Sequence, residues 1–302
     1  WAGDRQRDTP IALMLGYATD ALGYLVDLGL PQPSETLFAR DPQVKRELIF
    51  AGPLARGAAV LVERTNTVVR VRDDGWRVLE PGIGPFESIL SEAPGAEAAP
   101  EILGVRREVR SWRCYGAFRA DRASPARVPQ VGTRTPVLDE DGRDLAAAIQ
   151  TIIESGDGAT LNRIVGDAFP GSRVRVRADN GVFMTEFFRA RLRRPLTAAE
   201  LSDGTLRFLM LAAALLSPRA PGVLVLDEPE SSLHPDLYPA LAALVMAARE
   251  RTQVIVVSHA AAFVAELERA GAQRLGLVTR DGATAIEGFG MLDGPPWEWG
   301  AR

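Results

Sequence analysis

The sequence predicts an α/β protein: a largely parallel sheet flanked by helices, with an antiparallel β subdomain and a small helical insertion. Three observations carry that reading. Two stretches, 223–226 and 254–257, are continuously apolar, as strands buried on both faces must be. Helical segments alternate with them, which is the order of a parallel sheet covered by helices. The first third instead alternates short apolar stretches with turn residues, the pattern of antiparallel hairpins.

In chain order, strands are expected at 11–17, 24–28, 47–50, 59–63 and 68–72. Asp20, Gly29-Leu30-Pro31 and Asp73-Asp74-Gly75 separate them, and these residues favour turns for their φ preferences and local hydrogen bonding. From 82 to 143 the pattern weakens. Pro94 to Pro100 reads as a loop, and Ser124-Pro125 and Thr135-Pro136 interrupt any long helix. Helices follow at 145–154 and 159–169. A hairpin is expected next, 173–177 and 182–189 joined by Asp179-Asn180-Gly181, because Asn-Gly accepts the positive φ angles of a tight hairpin turn. After Pro195 come a helix at 204–216, the strand 223–226, a helix at 235–249, the strand 254–257, a helix at 260–269 and a strand at 274–278. The texture divides the chain into 1–85, 86–195 and 196–302.

Composition narrows the function classes. Hydrophobic residues make up 46% and charged residues 25% of the 302, as in ordinary globular domains. Cys114 is the lone cysteine, so neither an internal disulfide nor a Cys-based metal site is available, and a reducing, cytoplasmic setting is expected. The longest apolar run, 208–216, stops at Ser217-Pro218-Arg219, far short of the ~20 residues a membrane span requires. No charged-then-apolar leader opens the chain. A net charge of −4 argues against nonspecific coating of nucleic acid. Lys45 is the only lysine, so the arginine excess reads as a compositional bias. The chain opens at Trp1 and its first methionine is Met14, and a natural start is expected upstream.

Three places carry chemistry. Val223-Leu224-Val225-Leu226-Asp227-Glu228 is a buried strand ending in two carboxylates, delivered to the edge where open α/β sheets bind ligands. In nucleotide hydrolysis Asp227 would hold Mg²⁺ and Glu228 would orient and deprotonate the attacking water; otherwise the pair is a solvated acidic turn. Leu201-Ser202-Asp203-Gly204-Thr205 opens a helix. There Ser202 and the Gly204 backbone suit an anion, and Ser202 or Asp203 equally suits a plain N-cap. Val254-Ile255-Val256-Val257-Ser258-His259 presents one of two histidines at a strand end, where an imidazole can donate to phosphate or water.

The order of these motifs, with Asp227-Glu228-Pro229-Glu230-Ser231-Ser232-Leu233-His234-Pro235 between them, resembles the C-terminal lobe of ABC-type ATPases of the RecF/SMC/OLD-like kind: signature loop, Walker B, D-loop and switch histidine. The specific resemblance covers 196–278. It implies a P-loop NTPase fold and a homodimer closed head-to-tail around two ATP molecules with Mg²⁺. Ser202, Asp203 and Gly204 would then face the partner's γ-phosphate, with Ser231 and Ser232 at the dimer seam. Catalysis would rest on Glu228 and His259, and the metal on Asp227. The negative charge of Asp203, where the family more often has glycine, would be offset by Arg207 as an i,i+4 pair. Two departures stand out. The Gly-x-x-x-x-Gly-Lys-Ser/Thr loop that cradles phosphates is absent, since Lys45 has no glycine beside it, and is expected upstream. No residue can be assigned to the glutamine loop.

Partners follow more loosely. Arg106, Arg107, Arg110 and Arg113 surround Trp112 and Tyr115, and Arg189, Arg191, Arg193 and Arg194 form a second run. Such clusters can track DNA, but structural pairs and solvated faces are the simpler expectation. DNA and a separate effector protein are the expected partners, in repair, maintenance or phage defence. A nucleotide-gated scaffold with little turnover is the alternative. A short tail after the last strand leaves no room for an appended nuclease domain, so an effector would be a separate chain.

Overall fold

Six strands of the N-terminal third pair in sequence order, each antiparallel to the next. The computed structural model describes residues 12–31, 37–38, 40–92, 99–116, 118–280 and 282–288. The strands are β1 (Ala12–Ala18), β2 (Leu22–Gly29), β3 (Gln43–Ala51), β4 (Val60–Thr65), β5 (Val68–Arg72) and β6 (Trp76–Leu79), all antiparallel neighbours. Alternate residues of β2, β4 and β5 are buried, the period-two pattern of a sheet with one covered face. Helices α1 (Ile89–Glu92) and α2 (Pro100–Ser111) contribute Ile89, Ile102 and Val105 to the core with Ile49, Val62, Val69 and Val71. Within that core Arg64 and Glu47 pair at 2.7 Å, both side chains fully buried.

The chain forms two compact units, Trp1–Arg110 with Leu275–Arg302, and Ser111–Arg274. The strand expected at 274–278 is corrected: β14 (Leu277–Arg280) pairs antiparallel with β15 (Ala283–Ile286), outside the parallel sheet.

The second unit is built around a parallel three-stranded sheet in the order β13 (Gln253–Val257), β12 (Val223–Asp227), β7 (Arg113–Tyr115). Helix α5 (Asp203–Leu215) is buried from Thr205 to Leu215 without a polar face, as a helix at the centre of a core must be. Around it pack α3 (Leu145–Ser155), α4 (Gly158–Ala168), α6 (Tyr238–Ala248) and α7 (Ala261–Arg269). Phe169 meets Phe187 and Phe208 edge-on, with ring centroids 5.5 and 5.4 Å away, a favoured aromatic geometry. The sheet was expected to be covered on both faces. Leu224 and Leu226 are buried with α6 and α7, whereas Ile255 and Val257 on the opposite face remain 44% and 45% exposed.

The remaining strands are β8 (Gln130–Val131), β9 (Ser172–Asp179), β10 (Val182–Arg189) and β11 (Leu196–Thr197) in an antiparallel sheet. The β9–β10 hairpin turns at Asn180 and Gly181, with φ of 48° and 79°, as its Asn-Gly signal requires. Among the described residues no helix is long and apolar enough to cross a membrane.

Candidate active site

β12 ends where its alternation carries Asp227 into solvent, and the chain then turns sharply. Glu228 adopts φ 44°, a conformation few residues other than glycine accept. Three hydrogen bonds hold it there. Its N–H donates to Val257 O at 2.8 Å, and its carbonyl accepts from Ser231 N at 3.1 Å and from Arg207 Nη2 at 3.0 Å. The first bond continues the β12–β13 ladder, so Glu228 is aligned with the end of β13. Two residues past that end, His259 places Nε2 3.0 Å from Glu228 Oε1. Both side chains are open to solvent, 84% exposed for His259 and 45% for Glu228.

Glu230, absent from the sequence-derived site, fixes this strand end. It is buried, and its Oε1 accepts from Ser258 Oγ and from Ala260 N at 3.3 Å. The two partners flank His259. A buried carboxylate that brackets a histidine through its neighbours leaves no local sequence signal beyond its place in the Asp-Glu-Pro-Glu run.

The second cluster lies at the start of α5. Ser202 is the N-cap, accepting from Thr205 N at 3.3 Å and sharing a 2.8 Å hydrogen bond with the Thr205 hydroxyl. Its side chain thus does the capping expected of a serine there. Gly204 has a steric reason as well: a Cβ would sit 2.9 Å from the Ser232 carbonyl oxygen. Ser232 itself has φ 64°, and the turn it belongs to runs against the first turn of α5. Gly204 and Ser232 are therefore neighbours, and Ser231 lies in the same turn.

The expected Asp203–Arg207 pair does not form. Asp203 Oδ1 meets Arg127 Nη2 at 2.7 Å. Arg207 sits on the buried side of α5 and donates to Phe118 O at 3.1 Å and to Glu228 O. Each is engaged elsewhere: Arg127 takes the exposed Asp203 carboxylate, and the buried Arg207 guanidinium is turned toward the Phe118 and Glu228 carbonyls. Burial lowers the Arg207 pKa, opposed by the nearby Glu230 and Glu228 carboxylates.

The basic clusters are also redistributed. Tyr115 is buried, stacks on Phe118 with centroids 5.0 Å apart, and donates to Leu138 O at 2.8 Å, so it cannot stack a base. Arg113 donates to Ser111 O and Trp112 O. In the second run Arg194 forms a two-pronged pair with Glu200 at 2.9 and 2.6 Å. Arg189 is the last residue of β10.

Among the described residues no three His, Cys, Asp or Glu side chains converge as a metal cage. Asp227 and Glu228 are hard oxygen donors of the kind that Mg²⁺ takes, one or two together with substrate phosphates.

The model of the family described as "AAA domain, putative AbiEii toxin, Type IV TA system" matches residues 69–265, well over half of the chain and all of the residues named at both clusters. The chain belongs to this AAA family. The AAA domain is also similar to solved SMC heads. One, an SmcHead bound to the C-winged helix domain of ScpA, is 12% identical, covering 88% of this chain and 73% of that one with a TM-score of 0.44. The SMC head domain from Thermotoga maritima is 14% identical over 88% of this chain and 73% of its own, with a TM-score of 0.37. An Smc head with coiled coil and joint from Pyrococcus yayanosii is 17% identical, and the match spans 45% of this chain but 27% of that one, with a TM-score of 0.36. Scores this low add nothing to the family assignment. No curated protein matches the chain significantly.

Proposed function

We propose that this AAA domain is an ATP-hydrolysing head that dimerises around nucleotide, acting in DNA repair, DNA maintenance or phage defence. The observation that carries the reading is the 3.0 Å contact between His259 Nε2 and Glu228 Oε1 beside Asp227 at the end of the central strand. With Glu228 ionised, the contact requires a proton on Nε2, so the imidazole fixes the carboxylate's orientation. Glu228 Oε2 is left to accept a proton from water. In the reaction that water oxygen bonds to the γ-phosphorus, the bond to the β–γ bridging oxygen breaks, and the water proton passes to Glu228. Asp227 would hold Mg²⁺, which neutralises charge on the phosphates when bound.

The lysine loop that grips the phosphates in this reading is not among the 302 residues. Ser202, Asp203 and Gly204 serve the opposite protomer's nucleotide, and Ser231 and Ser232 line the seam. The solvent exposure of Ser202 and Asp203 supports a role at a surface that closes on a partner. The toxin–antitoxin wording of the family description supports defence among the three processes. Turnover in the complete protein with Mg²⁺, with and without DNA, tests the reading. Absence of turnover under both conditions would leave a nucleotide-gated scaffold.

A further inference from the structure

Two buried arginines join the clusters described above. Arg127, 9% exposed, spends its whole guanidinium on one task. Nη1 donates to Ala198 O at 2.9 Å and Leu201 O at 2.8 Å, Nη2 to Ala120 O and Asp203 Oδ1 at 2.7 Å each, and Nε to Asp121 O at 2.8 Å. Arg207 takes Phe118 O with one nitrogen and Glu228 O with another. The segment 118–121 is thus gripped at one end by Arg207 and at the other by Arg127. Arg207 ties it to the Glu228 turn, and Arg127 ties it to the loop that opens α5. The same segment leaves β7 at Gly116, where a Cβ would lie 3.6 Å from the Asp227 side chain.

An unbroken chain of charge-assisted hydrogen bonds therefore runs from Glu228 to Ser202's loop, and nearly all of its acceptors are backbone carbonyls. Guanidinium suits this work: it is planar, always charged and offers five donors in a fixed fork. A lysine ammonium, compact and freely rotating, reaches fewer acceptors. If these bonds only stiffened the core, apolar packing of the same volume would serve as well.

We propose that Arg127 and Arg207 are positioning residues that lock the Ser202–Gly204 loop to the Glu228 turn through segment 118–121, so that the loop offered to the opposite protomer's nucleotide moves with the turn that serves this protomer's own. This rests on the ATPase reading. A change at Glu228 is carried by Arg207 to Phe118, and by Arg127 to Leu201 and Asp203, the part of the molecule offered to the opposite protomer.

The test compares the complete wild-type protein with R127K, R127A and R207K by hydrogen exchange and ATP turnover. In R127K, exchange is expected to rise about 10-fold or more together in 118–123, 198–206 and 226–232, with the melting temperature within a few degrees. Its kcat is expected to fall about 100-fold while KM changes less than about 3-fold, the signature of misplacement without lost binding. R207K should match it on both counts. Loosening of 198–206 alone in R127K, with 226–232 unchanged, would overturn the proposal, as would full kcat in a protein whose loops have loosened. R127A asks the same questions, and R127K carries the test if R127A fails to fold. Lack of wild-type turnover would defeat the ATPase reading, and the joint or separate loosening of the loops would still decide the coupling.

Discussion

Replacing Arg64 with methionine should destabilise the N-terminal sheet severely, and the structure sets the size. Arg64 is fully buried on β4. It donates Nη1 to Glu47 Oε2 at 2.7 Å and to Glu87 O, Nη2 to Gly84 O at 2.6 Å, and Nε to Asn66 O at 2.6 Å. Glu47 also accepts from Tyr24 OH at 2.5 Å, Ser88 Oγ at 2.6 Å and Ile89 N at 3.1 Å. Burial and the Glu47 carboxylate together push the Tyr24 hydroxyl far above its usual range. Removing the arginine leaves a buried carboxylate held by neutral donors alone, at a cost of about 3–5 kcal/mol. The three freed carbonyls make the lower figure a floor. Amide exchange in the β3–β4 ladder should then accelerate by roughly 100- to 4,000-fold, while amides of β12 and β13, in the other compact unit, change little. The double variant Arg64→Met with Glu47→Leu should recover most of the loss, because an apolar pair of similar volume removes the uncompensated charge. Acceleration below about 10-fold in the single variant, or no recovery in the double, would refute the claim that charge pairing holds this core.

Gly204→Ala should lower the melting temperature by roughly 2–8 °C, since its Cβ would press on the Ser232 carbonyl at 2.9 Å. A melting temperature equal to or above wild type would show that the two turns separate freely. Glu230→Ala orphans the Ser258 hydroxyl proton and leaves the Ala260 N–H with Ser258 Oγ alone, costing about 1–3 kcal/mol. It should also broaden the His259 imidazole resonances, and sharp, unshifted resonances would contradict the bracket. Arg194, with Thr197, holds the Glu200 carboxyl down to about 2 from an ordinary 4.5. A depressed carboxylate contributes stability above its unfolded pKa and loses it as pH falls through the folded one. The Thr197–Glu200 capping turn should therefore loosen between about pH 4.5 and about pH 2, seen by amide NMR, and Glu200→Gln should remove that pH dependence.

What the sequence makes legible is what local pattern controls. Asp227 and Glu228 follow an unbroken apolar strand, His259 follows another, and Asn180-Gly181 marks its own turn; each is read within about ten residues. Arg127 and Arg207 escape such reading because all but one of their partners are carbonyls, some of them 71 to 89 residues away, and a carbonyl has no sequence identity. β7 escapes for a related reason: Arg113-Cys114-Tyr115 is a strand only because it lies beside Leu224–Leu226 in the sheet. Helix α2 buries only Ile102 and Val105 among its charged residues, too thin a stripe to register beside Pro100. The strand at 274–278 was placed in the wrong sheet because a short apolar stretch states its burial but not its partner.

The central claim is that Glu228 is the general base of an ATPase. The most direct measurement is phosphate release from ATP and Mg²⁺ by the complete protein and its Glu228→Gln variant, with nucleotide-dependent dimerisation followed in parallel by light scattering. The account predicts turnover in the wild type, a loss of about 100-fold or more in the variant, and dimerisation by both. Equal phosphate release by the two proteins would contradict it.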